Sequence, residues 1–482
     1  MRMKRQTPSA LLLCLPLSAC LLAGCAALTP PPATQYTQPT APVPASWPGT
    51  LTGGTTAGKP EEKAAAQMPW QEFFVAPQLR QLVTLALANN RDLRVAALNI
   101  ERVQALYQIR GADLWPKVDG NAAANFQRLP EDFSGTGRAK TIEQYTIGLG
   151  VSSYELDFFG RVKSLKEQAL KQFLASEQAQ RAVRISLVSQ VAAGYLNLAA
   201  DRERLKLAED TLANLQASLQ LTEKRFHAGV TTALAVSQAQ SGVEAARVDI
   251  ARYRTLVAQD ENGLALVVGA SLPTELTPPA LAEDFTAQPE LTPALPSQVL
   301  LTRPDILQAE ELLKGYQANI GAARAAFFPR ISLVSSLGFG SGQLSDLFSQ
   351  GSFAWSFAPR ITLPIFDAGT NVANFKVAEV DRDLALAQYE KAIQTAFREV
   401  ADGLAQRRTI VEQMTAQQAL VAATTESLHL SQLRFDQGVD SYLSVLDSQR
   451  ALYGAQQNLL TIRLARLSNL VTLYKVLGGG SY

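Results

Sequence analysis

The 482-residue chain holds three cysteines and two histidines, and these shortages remove whole classes of chemistry at once. Cys14 and Cys20 lie in an N-terminal stretch with the layout of a secretory signal, so Cys25 alone survives processing and no disulfide framework can form. His227 and His429 beside one cysteine are too few nitrogen and sulfur ligands for a metal site. A phosphate-cradling glycine loop is missing too, because Gly338, Gly340 and Gly342 fall in a strand and its loop with no helix after them. Beyond the signal no run approaches the roughly 20 apolar residues of a membrane helix, so a membrane crossing would have to be a β-barrel. An excess of charge is likewise lacking. Removing residues 1–24 takes away three cations and leaves 41 Lys+Arg against 43 Asp+Glu, a net charge of −2 that gives no basic footprint for nucleic acid. No catalytic constellation is visible, so the chain reads as a non-enzyme without a cofactor.

What is present begins with Arg2, Lys4 and Arg5 ahead of an apolar stretch from Ala10 to Ala23, the pattern of an export signal. It ends in Leu22-Ala23-Gly24-Cys25, which resembles a bacterial lipobox whose cysteine receives a diacylglyceryl group and becomes the new N-terminus. Ordinary cleavage, leaving Cys25 a free thiol, is the alternative. Residue 26 is alanine, and in bacterial lipoproteins the absence of aspartate there implies transfer to the outer membrane.

Two copies of one unit fill the mature chain. Arg225-Phe226-His227-Ala228-Gly229-Val230 and Arg434-Phe435-Asp436-Gln437-Gly438-Val439 stand 209 residues apart, and the same offset aligns Gly160 with Gly369, Gly194 with Gly403 and Leu234 with Leu443. Upstream, Asp92-Leu93 and Trp115-Pro116 match Asp305-Ile306 and Phe328-Pro329 at an offset of 213, so the first copy has the longer insertion between residues 117 and 155. The expected organisation is a signal (1–24), an anchored extended segment (25–75), a first repeat (76–269), a Pro-rich connector (270–300) and a second repeat (301–482).

Each copy reads helix, strand, strand, long helix, turn, helix. Residues 161–226 and 370–435 lack proline, favour strong helix formers and repeat apolar residues at three and four, as coiled-coil packing requires. At 1.5 Å per residue each spans about 100 Å. The shorter helices, 89–114 with 231–268 and 303–327 with 440–476, together nearly match that length, so they are expected to stack end to end beside it. Four segments alternate with period two: Val118, Ala122, Ala124 and Phe126; Tyr145, Ile147, Leu149 and Val151; Ile331, Leu333, Leu337 and Phe339; and Phe353, Trp355, Phe357, Ile361 and Leu363 share apolar faces. Alternation alone fits a soluble sheet on a core as well as membrane strands. Four strands cannot close a barrel, however, so closure would take several chains, and three would give about twelve strands and a lumen.

These residues resemble the outer-membrane factors of the TolC superfamily, of the lipid-anchored OprM or NodT type. The most specific stretch is Leu295-Pro296-Ser297-Gln298-Val299-Leu300-Leu301-Thr302-Arg303-Pro304-Asp305-Ile306; Glu155-Leu156-Asp157-Phe158-Phe159-Gly160 and Leu363-Pro364-Ile365-Phe366-Asp367-Ala368-Gly369 add to it. The resemblance implies a mainly α fold with a membrane β-barrel, in which a homotrimer builds a 12-stranded β-barrel in the outer membrane and a 12-helix α-barrel across the periplasm. It implies an efflux duct that works with a periplasmic adaptor (membrane fusion protein) and an inner-membrane transporter of the RND type. A type I secretion outlet and a non-channel coiled-coil structural lipoprotein are the competing readings.

Glycine at 229 and 438 suits a helix C-cap. The resemblance adds that Arg225, Gly229, Val230, Arg434, Gly438 and Val439 meet the adaptor. Leu443, Asp447 and Arg450, at i, i+4 and i+7, share a helical face. That spacing suits a packed leucine beside an intrahelical Asp–Arg pair. The resemblance instead puts these residues at a closed periplasmic gate, with the leucines as a plug and the charges in contacts between helices. The copies differ there, since the first has Leu234, Gln238 and Ser241 at the matching positions.

Overall fold

The computed structural model describes residues 36–44, 46–47, 68–135, 137–282, 285–286 and 297–479. The signal, Cys25 and much of the Pro-rich connector lie outside them. In chain order the elements are α1 (Pro77–Asn89), α2 (Arg91–Ala112), β1 (Val118–Leu129), β2 (Lys140–Leu156), α3 (Arg161–His227), α4 (Ala233–Val268), α5 (Pro304–Ala325), β3 (Arg330–Ser341), β4 (Phe353–Thr362), α6 (Thr370–Asp436) and α7 (Tyr442–Val476). The two long helices have 67 residues each. By contacts the chain divides into two compact units, one built on Glu101–Ala175 and Ala309–Tyr389, the other on Thr40–Ile100, Ser176–Gln308 and Glu390–Tyr482.

The first unit contains the sheet, an antiparallel meander in the order β1-β2-β3-β4. Its register puts the apolar sets of all four strands on one face: Ala122 faces Ile147, which faces Phe339, which faces Phe353, and Leu149 faces Leu337, which faces Trp355. The other face carries Asn121, Gly148, Gly338 and Ala354 in one row and Gly150, Ser336 and Ser356 in another. Between Val151 and Tyr154 the β2–β3 register shifts by a bulge, which absorbs an extra residue in β2 without turning the rest of the apolar face over. Below the bulge, Glu155 takes a two-pronged pair from Arg161 at 2.8 and 2.6 Å and a third bond from Arg330 at 2.5 Å. That joins the end of β2 to the starts of α3 and β3. β1 and β4 keep free edges, and Trp355 and Ile361 stand 72% and 69% exposed, so the apolar face is uncovered within one chain.

The second unit has an aromatic core. Phe73, on a single helical turn, Trp70–Phe73, stacks on Tyr474 at 4.4 Å, and Phe74 meets Phe285 and Tyr474 edge-on. Around it the two copies repeat the same joint. In the first, the Asn90 side chain donates to the Val267 carbonyl at 2.8 Å; in the second, Arg303 donates to the Val476 carbonyl at 2.8 Å. Each bond joins the C-terminal end of one shorter helix to the start of the other, so the expected end-to-end meeting is seen at these joints. Asn90 also explains a difference from the sequence reading, which began the first helix at 89. Its extended backbone ends α1, and its Oδ1 caps α2 by accepting from the Leu93 amide at 2.8 Å. The helix before the first strands is therefore two helices, α1 and α2.

Close helix approach is duplicated too. A Cβ on Gly194 would come within 3.2 Å of Leu264, and one on Gly403 within 2.7 Å of Leu473, so in both copies the long helix meets its shorter partner where only glycine fits. Among the described residues no helix is long and apolar enough to cross a membrane.

Candidate functional site: the two hairpin tips

The turns between α3 and α4 and between α6 and α7 are built alike. Gly229 (φ 74°) and Gly438 (φ 77°) take the left-handed conformation. The amides of Val230 and Gly229 donate to the carbonyls of Arg225 and Phe226, and those of Val439 and Gly438 to Arg434 and Phe435, all at 2.9–3.0 Å. Both tips are thus Schellman caps, in which the last carbonyls of a long helix are satisfied within the turn. The valines that follow are left outside, with Val230 74% and Val439 60% exposed.

The two tip arginines are not equivalent. Arg434 grips Asp440 of its own turn through two bonds of 2.6 and 3.0 Å, and this pairing holds the Asp440 carboxyl below its ordinary range. At the matching position the first copy has Thr231. Lacking a carboxylate at home, Arg225 crosses to the other tip, where it meets Asp436 at 3.2 Å and lies over the Phe435 ring at 4.5 Å.

Directly beyond the second tip, α7 turns one face inward. Tyr442, Val445 and Leu446 are buried against Ala235 and Ala239 of α4, with Leu219, Leu428 and Phe435 at the edge of the cluster. The helical period then forces Leu443, Asp447 and Arg450 onto the outer face. Leu443 is 45% exposed, and the Asp447 and Arg450 side chains, 3.8 Å apart as an i, i+3 pair, are exposed as well. The three proposed gate residues are thereby brought together and left facing out of the protomer.

Sequence reasoning missed the bonds that hold α7 to the first hairpin. The Tyr442 and Ser218 hydroxyls are 2.7 Å apart, Tyr453 donates to Asp249 at 3.0 Å, and Arg463 pairs with Glu203 at 2.7 Å. Burial, with the Asp249 charge beside it, pushes the Tyr453 hydroxyl well above its ordinary value, so it remains a donor. The first copy has Ala233 and Glu244 where the second has Tyr442 and Tyr453, and that difference between copies was the available signal. A cleft of about 690 Å³ lies beside these bonds, lined by Ser218, Leu221, Phe435, Tyr442, Gln449 and Tyr453. Among the described residues no cluster of three or more metal-ligating side chains occurs.

The family model described as "Outer membrane efflux protein" matches residues 82–270 and 295–479. The chain is 46% identical over 471 residues to the probable efflux pump outer membrane protein TtgC of Pseudomonas putida, covering 98% of this chain and 96% of that one. Among solved structures it resembles a membrane protein from Pseudomonas aeruginosa (TM-score 0.86, 42% identity, 93% and 97% covered). It also resembles the open state of the Neisseria gonorrhoeae MtrE outer membrane channel (TM-score 0.82, 36% identity, 93% and 98% covered).

Proposed function

Because the chain belongs to the outer membrane efflux protein family, and is therefore an outer-membrane efflux channel, we propose that it is the exit duct of a tripartite system, assembled as a homotrimer. The observation that carries the trimer is the sheet. It has one unbroken apolar face and two free edges, and three such sheets joined β4 to β1 supply about twelve strands, enough for a closed wall with a wet interior. The polar face of small side chains then lines the conduit and the apolar face meets lipid.

In this reading Cys25 carries the lipid anchor, outside the described residues. The tips around Arg225, Gly229, Val230, Arg434, Gly438 and Val439 meet a periplasmic adaptor, and an inner-membrane transporter of the RND type supplies the energy. Leu443, Asp447 and Arg450 close the periplasmic aperture. Their outward placement on α7 supports this, since a residue that seals a ring must face other copies. TtgC is named for efflux, and small toxic organic compounds are the cargo that its likeness suggests for this chain.

Mild-detergent extracts should give a particle of three chains that conducts ions in a planar bilayer, and the intact mass of the mature protein should include acyl groups on Cys25. Monomers, or trimers without conductance, would return the chain to a structural lipoprotein. An unmodified Cys25 would remove the anchor and leave the channel standing.

A further inference from the structure

The outward face of the sheet is not uniformly filled. Gly120 and Ala122 of β1 form the floor of a depression of about 500 Å³, walled by Ile147 and Leu149 of β2, Leu337 and Phe339 of β3, and Phe348 from the loop after β3. Phe348 leans edge-on against Phe339 with ring centres 5.4 Å apart, which extends the wall past the strand end. The lining is almost wholly apolar, and all seven side chains belong to the face that alternation turns away from the polar rows.

Its depth follows from topology. β1 leaves α2 and β2 enters α3, so the hairpin loop stands on the side of the membrane away from the helices, and Phe339 lies two residues from the outer end of β3 at Ser341. The depression is therefore in the outer half of the bilayer. Above it on the same face of β1 come Ala124, Phe126 and Arg128. Phe126 packs edge-on against Tyr145 at 5.6 Å, and the Tyr145 hydroxyl donates to Glu143, an amphipathic pair of the kind that marks a membrane–water boundary. Arg128 sits just outside that boundary, exposed, and makes no ion pair among the described residues. From Ala122 to Arg128 is about 20 Å along the strand, or about 15 Å of depth at a typical strand tilt of about 40°. That is the hydrocarbon thickness of one leaflet.

We propose that this depression is a lipid site that seats one acyl chain of a phosphorylated outer-leaflet glycolipid against Gly120 and Ala122 and holds its phosphate at Arg128. A chain lying in the depression regains contacts that the small floor residues leave unfilled. Arg128 is the uncommitted cation at headgroup height, and its fork geometry suits phosphate. Pairing of β1 with β4 of another copy would proceed in the plane of the sheet and leave this face open. The outer-leaflet position commits the site to the glycolipid of that leaflet rather than to a diacyl phospholipid.

Lys140 supplies the control, because it pairs with Leu129 at the same height on the opposite, polar face. Assembled protein extracted from outer membranes in mild detergent would be examined by native mass spectrometry, with purified lipid A and phosphatidylglycerol added in competition. The full chain should retain lipid A; Arg128→Gln and Ala122→Leu, which removes the cation and fills the floor respectively, should each lower retention about fivefold to tenfold, as expected for loss of one cation at a charged lipid surface. Lys140→Gln should retain as much as the unaltered protein. Equal retention by Arg128→Gln and Lys140→Gln, unaltered retention by Ala122→Leu, or preference for phosphatidylglycerol would each overturn the proposal.

Discussion

Arg303 binds three parts of the second unit through one side chain, and replacing it tests how that unit is held. The guanidinium is only 8% exposed. It forms a fork on Asp305 at 3.0 and 2.6 Å, reaches Glu399 of α6 at 2.9 Å, and satisfies the terminal Val476 carbonyl of α7. Burial alone would lower its pKa, but the two carboxylates more than compensate and raise it, so the charge persists at every working pH. In Arg303→Met the packing volume is largely kept. The Val476 carbonyl then loses its donor inside the protein, at a cost of about 1–3 kcal/mol. Asp305 and Glu399 keep 44% and 36% of their side-chain surface in water, so each can rehydrate and loses at most about 1 kcal/mol. The expected destabilisation is about 2–4 kcal/mol. Arg303→Lys should recover part of it, because an ammonium can reach one or two of these acceptors but cannot span the fork and the carbonyl together. Guanidinium unfolding of the detergent-solubilised protein, followed by the emission of Trp47 and Trp70, both buried in this unit, would measure the loss. A midpoint unchanged in Arg303→Met, or an Arg303→Lys protein no more stable than Arg303→Met, would refute the account.

Replacing Leu443, Asp447 and Arg450 together by alanine should raise single-channel conductance and barely alter stability, since an exposed i, i+3 pair is worth only about 0.3–0.5 kcal/mol within its own helix; unchanged conductance in an assembled triple variant would deny the gate. Burial, reinforced by the neighbouring Asp201 charge, pushes Asp260 up to about 6 from its ordinary 3.8. The folded chain then binds this proton more tightly than the unfolded one, so stability should fall as pH rises from about 4 to 6 and stay lower above it, and Asp260→Asn should flatten that slope. A slope that survives the substitution would place its origin elsewhere. Cysteines introduced as Ser134→Cys or Ser345→Cys, in the loops joining β1 to β2 and β3 to β4, should react with an impermeant maleimide on intact cells; reaction that required a permeabilised outer membrane would reverse the topology.

Much of this was legible because the chain says nearly everything twice. The 209-residue offset that aligned the tip motifs also aligns structural bonds: Gly194 on Leu264 with Gly403 on Leu473, and the Val267 carbonyl with that of Val476. Alternation assigned the faces of the strands correctly because each side chain's direction follows from its parity. The break at Asn90 was harder to see, since the residues on both sides of it are good helix formers and the cap depends on the Val267 carbonyl, 177 positions away. The ties to α7 were out of reach for the opposite reason: they occur in one arrangement only, between residues unlike in the two copies. Asp436 shows this most clearly. Nothing in its own helix marks it as a partner for Arg225 until the missing carboxylate at Thr231 is noticed.

The bulged strand β2 also outlasts its neighbour. β3 ends opposite Tyr145, whereas β2 continues outward to Lys140, paired on one side only with β1. The outermost five residues thus form a two-stranded ribbon, about 17 Å long, that stands clear of the rest of the sheet. Its backbone amides on the free side are bonded to nothing but water, and it contributes no rung to the pairing between the two hairpins. The chain can therefore lengthen, shorten or change its residues here without any penalty to the wall beneath, which makes residues 125–144 the stretch where surface identity can drift fastest and where a foreign peptide could be spliced in and displayed to the outside of the cell.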